Sequence, residues 1–195
     1  MKVLGISGSH RKQENTYRVL KEALRASETD SEIVEISDLR LKSCRACYDL
    51  CSKEPYTCVI KDDLNTIFWK MREVDGIILA SPLYSPVLVP SQLAILMERL
   101  SCLHFFESVT HNSPQPLSDK LCGIIAVSGG SEPKELLTLL AQFALMLHLN
   151  LVTVKRYPYL GVWAKAPVEK DEEGMECARE MGISLRKQFE ANWRR

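Results

Sequence analysis

Four cysteines lie within fifteen positions of this chain, as Cys44-x2-Cys47-x3-Cys51-x6-Cys58. Four thiolates so closely spaced suit a [4Fe–4S] cluster or a structural zinc; the same set would also serve as free thiols or a redox-labile pair. A permanent disulfide framework does not fit a reducing compartment. Arg45, Lys53 and Lys61 flank the run. There they either offset a cluster's negative charge or stay solvated on the surface.

A second constellation stands nearer the start. Lys2-Val3-Leu4-Gly5-Ile6 is short, apolar and β-prone, and is followed by Ser7-Gly8-Ser9-His10-Arg11 and then Asn15-Thr16 at the opening of a helix. Free N–H groups and the dipole of a helix start favour an anion, and Ser7, Ser9, Asn15 and Thr16 can add side-chain donors. The segment has neither G-x-x-x-x-G-K-[ST] nor G-x-G-x-x-G, so triphosphate and dinucleotide loops are excluded. A hydroxyl-rich loop suits the terminal phosphate of a mononucleotide. The plainer alternative is an ordinary strand-to-helix turn with Asn15 as N-cap.

The elements that must position these groups alternate along the chain. Strands are expected at Leu4–Ser7, Glu32–Ile36, Gly76–Ala80, Leu121–Val127 and Leu151–Val154. Helices are expected at Thr16–Ala26, Asp62–Arg72, Ser91–Leu103, Pro133–Leu149 and Glu169–Asn192, from apolar residues at helical spacing. Apolar strands such as Gly76–Ala80 are the kind buried on both faces of a parallel sheet. This is an α/β, doubly wound parallel sheet of five strands with helices on both faces. One domain spans 1–195, with a cysteine-rich insertion at 43–61. His104–Ser118 is expected to be a surface loop or lid. Ligands bind such sheets outside the carboxyl ends of the strands, where Ser7–Arg11, Ser81–Val89 and Ser128–Ser131 should converge, with Tyr84 available to grip a flat ring.

The bulk composition excludes other classes. Basic and acidic residues are both 25, so the net charge is zero, which gives no support for nucleic-acid or membrane-surface binding. No apolar run reaches the roughly 18 residues of a membrane span. No signal-peptide pattern is visible, so a cytoplasmic location is the expectation. Cys102, Cys122 and Cys177 read as small core residues. His10, His104, His111 and His148 have no sequence-near partner that argues for a catalytic triad or metal site, and no residue is assigned a catalytic acid–base role.

In Gly8-Ser9-His10-Arg11…Asn15-Thr16, Ser81-Pro82-Leu83-Tyr84-Ser85-Pro86, Ser128-Gly129-Gly130, Cys58-Val59-Ile60-Lys61-Asp62-Asp63 and Pro167–Gly174, the chain resembles the flavodoxin-like NADPH-dependent FMN reductase family, in its iron–sulfur flavoprotein branch. The resemblance implies strand order 2-1-3-4-5 and a noncovalent FMN. Ser7, Ser9, Arg11, Asn15 and Thr16 would hold its phosphate. Pro82, Leu83 and Tyr84, with Ser85 beside them, would line the ribityl chain and ring. Ser128, Gly129 and Gly130 would face the pyrimidine end. Iron–sulfur flavoproteins carry four cysteines after the second strand, which would make Cys44, Cys47, Cys51 and Cys58 the ligands of a [4Fe–4S] cluster. Redox-inert zinc would give an adjacent flavin nothing to exchange. Two departures stand out: Gln13-Glu14 replaces a small, often glycine-containing segment, and Glu132-Pro133 replaces a glycine-rich continuation.

A flavin takes electrons in pairs and releases them singly, so the expected activity is an FMN-dependent oxidoreductase or electron-transfer protein coupled to a [4Fe–4S] cluster. The alternatives are a cluster-free NAD(P)H-dependent FMN or quinone reductase, and a non-catalytic binding module built on structural zinc. NAD(P)H is the possible donor, a redox partner protein or small molecule the other partner. The resemblance further implies a homodimer or homotetramer. The apolar helix Leu136–Leu149 suits a subunit interface or deep burial. Tyr157, Tyr159 and Trp163 would either contact the flavin or a neighbouring subunit, or cap the core.

Overall fold

A computed structural model of the chain describes residues 1–51, 53, 56–105 and 115–193. Its sheet is parallel throughout, in the order β2 (Asp30–Glu35), β1 (Lys2–Ser7), β3 (Gly76–Pro82), β4 (Leu121–Ser128), β5 (Asn150–Leu151), with β6 (Val162–Lys165) also paired to β4. Alternate residues of the central strands serve two cores. Leu4, Ile77, Leu79, Cys122 and Ile124 face α3 (Leu64–Arg72), α4 (Ser91–Phe105) and α5 (Lys134–Met146). Val3, Ile78, Ala80, Ile125 and Val127 face α1 (Asn15–Ser27) and α6 (Glu172–Trp193). The near-continuous apolar runs thus record a sheet covered on both sides.

The fifth sheet position differs from the expected strand at Leu151–Val154. It is shared by two short strands: Asn150 and Leu151 pair with the start of β4, and Val162–Lys165 pair with its end. Between them the chain leaves the sheet through a turn in which Tyr159 N–H donates to the Arg156 carbonyl (2.7 Å) and Tyr159 takes φ +64. Tyr157 and Tyr159 stand exposed, edge to face. A buried apolar pair on each side, Val152 with Val154 and Val162 with Ala164, keeps both segments against the core.

On the outer side α1 and α6 approach closely enough to require glycine. A Cβ at Gly182 would enter the Ala23 carbonyl oxygen and lie 2.9 Å from the Ser27 nitrogen. Helix α5 buries Leu136, Leu137, Leu140, Phe143 and Ala144 while Lys134, Glu135, Thr138, Gln142 and Leu145 stay exposed, so its burial is confined to the face turned to the core. Cys122 and Cys177 are core residues as expected, and burial pushes their thiols up to about 12 and about 11. Helix α4 runs through Phe105; residues 106–114 of the expected lid, His111 among them, lie outside the described residues. Among the described residues no helix is long and apolar enough to cross a membrane.

Candidate functional site

The phosphate-type loop is set by three backbone contacts. Gly8 N–H donates to the Ala80 carbonyl (2.7 Å), tying β1's end to β3. A Cβ here would lie 2.5 Å from Leu93 Cδ2 and 3.0 Å from the Ala80 oxygen, so only glycine lets the loop rest this close to β3 and α4. Arg11 N–H donates to Ser9 Oγ (3.0 Å), turning the loop toward α1. Gln13 N–H donates to a Glu35 carboxylate oxygen (2.9 Å) at the end of β2. Gln13 itself holds φ +54, the left-handed conformation that a glycine would take without strain. Glu35 is thus what holds the Gln13-Glu14 departure in place, and sequence reasoning missed it.

These contacts open a cavity of about 330 Å³ at the carboxyl edge of the sheet. Ser9, Arg11, Asn15 and Thr16 line one side, Pro82, Leu83 and Tyr84 another, and Ser128 and Gly129 a third. The three expected loops therefore do converge. Ser7, Ser85 and Gly130 are not in its wall. Ser7 lies beneath the loop, fully buried, with its hydroxyl unpartnered; Ser85 and Gly130 are exposed. Asn15 is not the N-cap of α1. Glu14 is, without a side-chain cap, and the Asn15 Oδ1 instead accepts the Val168 N–H (3.1 Å). The helix start thus keeps free N–H donors facing the cavity. The Thr16 hydroxyl makes no hydrogen bond to another described residue, and Arg11 forms no ion pair among them. Unclaimed donors of this kind fit an anionic phosphate.

The wall near the ring position is held from behind. Leu83 N–H donates to the Val127 carbonyl (2.7 Å), and Tyr84 N–H to the Leu88 carbonyl (2.9 Å). Trp163 Nε1–H donates to Ser128 Oγ (2.9 Å), with Lys165 over its ring. No heavy atom would meet a Cβ at Gly129 or Gly130 within 4 Å, so both face open space. Trp163 therefore acts on the cavity through Ser128. His10 is exposed, its Nε2 3.4 Å from Ser91 Oγ. A wider depression of about 660 Å³ lies on the α1–α6 face, where Arg18 pairs with Glu169 and Arg179 with Glu176, leaving little free charge for an anion.

The cysteine segment packs on α4, one turn and more beyond the phosphate loop. Cys44 and Cys47 are half-buried, Cys51 and Cys58 buried. Burial, with Cys47 and then Cys58 nearby, pushes the Cys51 thiol up to about 11. Cys102 is not a core residue. It is half-buried beside Cys44, and burial, Cys44 and Glu98 push it to about 11 as well. Cys58 is fixed at both backbone groups: its N–H donates to Asn65 Oδ1 and its carbonyl accepts from Asn65 Nδ2, each at 3.2 Å. Arg45, Lys53 and Lys61 are exposed, as solvated side chains would be. The nearby cation is Arg99 of α4, whose side chain is 2% exposed. It donates to Cys58 Sγ (3.1 Å) and to the Lys42 carbonyl (3.0 Å), and pairs with Asp62. Burial opposes both charges, yet the pairing holds Asp62 below its ordinary value and Arg99 above its own. Among the described residues no three His, Cys, Asp or Glu side chains are arranged to hold a metal ion. The donor chemistry nonetheless suits a negatively charged iron–sulfur group: four thiols, a buried guanidinium, and an Arg99 Nε with no partner.

Comparison with known proteins decides the family. The family model for NADPH-dependent FMN reductase matches residues 1–164. This chain belongs to the NADPH-dependent FMN reductase family. It is therefore a flavin-dependent oxidoreductase, and FMN is the ligand for which the family accounts. An iron-sulfur flavoprotein of Methanocaldococcus jannaschii is 34% identical over 194 residues, covering 93% of this chain and 94% of that one. An iron-sulfur flavoprotein of Methanosarcina thermophila is 32% identical over 190 residues, covering 95% and 93%. Among solved structures, a flavone reductase superposes with TM-score 0.74 at 16% identity, over 99% of this chain and 64% of that one. An NADH:FMN oxidoreductase in its apo form superposes with TM-score 0.65 at 16% identity, over 96% and 89%. At such identity these two establish the flavodoxin-like fold of this FMN reductase family member.

Proposed function

We propose that this FMN reductase family member is an iron–sulfur flavoprotein that couples FMN to a [4Fe–4S] cluster. The observation that carries the reading is one chain holding two sites against one helix: the hydroxyl- and amide-lined cavity, whose neighbouring loop rests at Gly8 on Leu93 of α4, and the four-thiol segment packed farther along that helix. The two relatives named iron-sulfur flavoprotein, aligned along most of the chain, support it. When bound, FMN exchanges electron pairs and the cluster single electrons, so together they join two-electron to one-electron chemistry.

The chain's own residues bind and orient. Arg11, Thr16 and the N–H groups of α1 take the FMN phosphate, with the Asn15 side chain shared between this loop and Val168. Pro82, Leu83 and Tyr84 flank the ribityl chain and ring, and Ser128 and Gly129 meet the pyrimidine edge. Cys44, Cys47, Cys51 and Cys58 are the cluster ligands. NAD(P)H is the donor in this reading and a redox protein or small molecule the acceptor, in a cytoplasmic homodimer or homotetramer.

The test is an ultraviolet–visible spectrum of protein purified without oxygen, with FMN, iron and sulfide measured on one sample and NAD(P)H turnover alongside. About one FMN and four irons per chain are expected. Replacing any of the four ligands by Ala should remove the iron, whereas Cys102→Ala should keep it. FMN without iron after reconstitution with iron and sulfide would reject the cluster and leave a cluster-free reductase.

A further inference from the structure

We infer that Arg99 is a tuning residue of the cysteine site: its buried guanidinium, hydrogen-bonded to Cys58 Sγ, raises the reduction potential of the group those cysteines hold. This rests on the proposed cluster. The geometry is specific. Arg99 lies on the apolar stripe of α4 among buried Leu96, Leu100 and Leu103. A charge there is costly unless it is fully engaged. Asp62 engages it on one side, together with the Lys42 carbonyl. The other terminal nitrogen goes to a thiol sulfur at 3.1 Å, a weak acceptor when neutral and a much better one as a thiolate ligand.

Asp62 is itself fixed by the N–H groups of Lys42 (2.8 Å) and Leu64 (3.2 Å). The ion pair is therefore an oriented dipole with its positive end on Cys58. Reduction adds one electron to the sulfur-bound group. Arg99 stabilises that added charge more than it stabilises the oxidised form, both as a hydrogen-bond donor to sulfur and as a buried positive charge. Asp62 acts in the opposite sense, because it cancels part of the guanidinium field. The exposed Arg45, Lys53 and Lys61 are screened by water and contribute far less.

The experiment is a redox titration of anaerobically purified, cluster-loaded protein, followed by electron paramagnetic resonance for the cluster and by flavin absorbance for FMN. Arg99→Gln should move the cluster midpoint negative by at least about 59 mV, a tenfold change in a one-electron equilibrium. Arg99→Lys, which keeps the charge but loses the fork, should fall between. Asp62→Asn should move it positive, and the flavin midpoints should stay put in all three. An Arg99→Gln midpoint equal to that of the wild type overturns the inference. If Arg99→Gln does not fold or load, Asp62→Asn decides: a positive shift supports the role, and no shift or a negative one overturns it. Wild-type protein that takes up no iron or sulfide rejects the cluster reading first, and this inference with it.

Discussion

Replacing Thr16 by Val separates ligand recognition from folding at the phosphate loop. Thr16 is 3% exposed, in the first turn of α1, and its residue lines the cavity. Its hydroxyl has no hydrogen-bond partner among the described residues, so the free protein loses no internal bond when the hydroxyl becomes a methyl. Valine keeps the branched shape that packs against the sheet, so the melting temperature of the apoprotein should hold or rise slightly. The FMN complex should lose one hydrogen bond to a charged phosphate, about 1.5–3 kcal/mol. At about 1.4 kcal/mol per factor of ten, the Kd for FMN rises roughly 10- to 150-fold. Titration of apoprotein with FMN by flavin fluorescence gives the affinity, and thermal melts of apo and loaded protein give the stability. A Kd within twofold of wild type would show that Thr16 does not donate to the phosphate, and would leave Arg11 and the helix amides as the anion's holders. An apoprotein that melts well below wild type would show instead that the hydroxyl serves the fold.

Two further variants probe how α6 is held. Gly182→Ala pushes a methyl group into the Ala23 carbonyl and against the Ser27 nitrogen, both backbone. It should cost about 3 kcal/mol or more by overpacking, lowering the melting temperature by roughly 6–12 °C for a chain of this size. Gly129→Ala, in open space, should stay within about 0.5 kcal/mol by urea unfolding; equal effects at both positions would refute the helix-contact argument. Glu22, bonded to Arg25 and Arg179, is lowered from 4.5 to about 2. A depressed carboxylate contributes stability that is present above its unfolded value and disappears as pH falls through the folded one. The stability gap between wild type and Glu22→Gln should therefore be full above pH 4.5 and close toward pH 2, as measured by urea unfolding across that range. A gap that does not change with pH excludes the ion pair as its source.

The parts legible in the sequence were those governed by local pattern. Short, wholly apolar strands alternating with amphipathic helices pointed to the sheet, and in the structure both faces of those strands are buried, Leu4, Ile77 and Ile124 in one core and Val3, Ile78 and Ile125 in the other. Hydroxyl and glycine chemistry pointed to the loop after β1, whose Ser9, Arg11, Asn15 and Thr16 do line the cavity. What was missed depends on pairings remote in sequence. Glu35 on β2 reads as a surface carboxylate until β2 lies beside β1 and its side chain reaches Gln13. The second half of the fifth strand has only Val162 and Ala164 as its buried pattern, too short to announce a strand. Asn15 has an N-cap's chemistry, but Val168, 153 residues away, takes its oxygen. Arg99 did leave a signal. It sits three residues after Leu96 and four before Leu103, on the buried stripe, where a solvated charge does not belong. Cys102 lies three residues on, and the same register brings it to Cys44.

Helix α4 makes the two sites one mechanical unit. Leu93 in its first turn lies against Gly8 beneath the phosphate loop, and Ser91 reaches His10. Arg99 lies eight residues beyond Ser91, about 12 Å along the axis at 1.5 Å per residue, and grips Cys58. Between them Leu96, 1% exposed, fastens the helix to the core. Leu96→Ala removes that anchor at a cost of about 2–5 kcal/mol, and a helix free to shift misplaces both of its ends. Loss of FMN affinity and loss of iron should therefore appear together in this variant, although Leu96 belongs to neither cavity wall nor thiol set. Thr16→Val should weaken FMN binding alone, and Arg99→Gln should keep both groups and move only the cluster midpoint. FMN binding titrations and iron analysis on the three proteins distinguish the patterns. A Leu96→Ala protein that remains folded and loses only one of the two groups would show that each site is supported independently, with the helix merely passing beneath both.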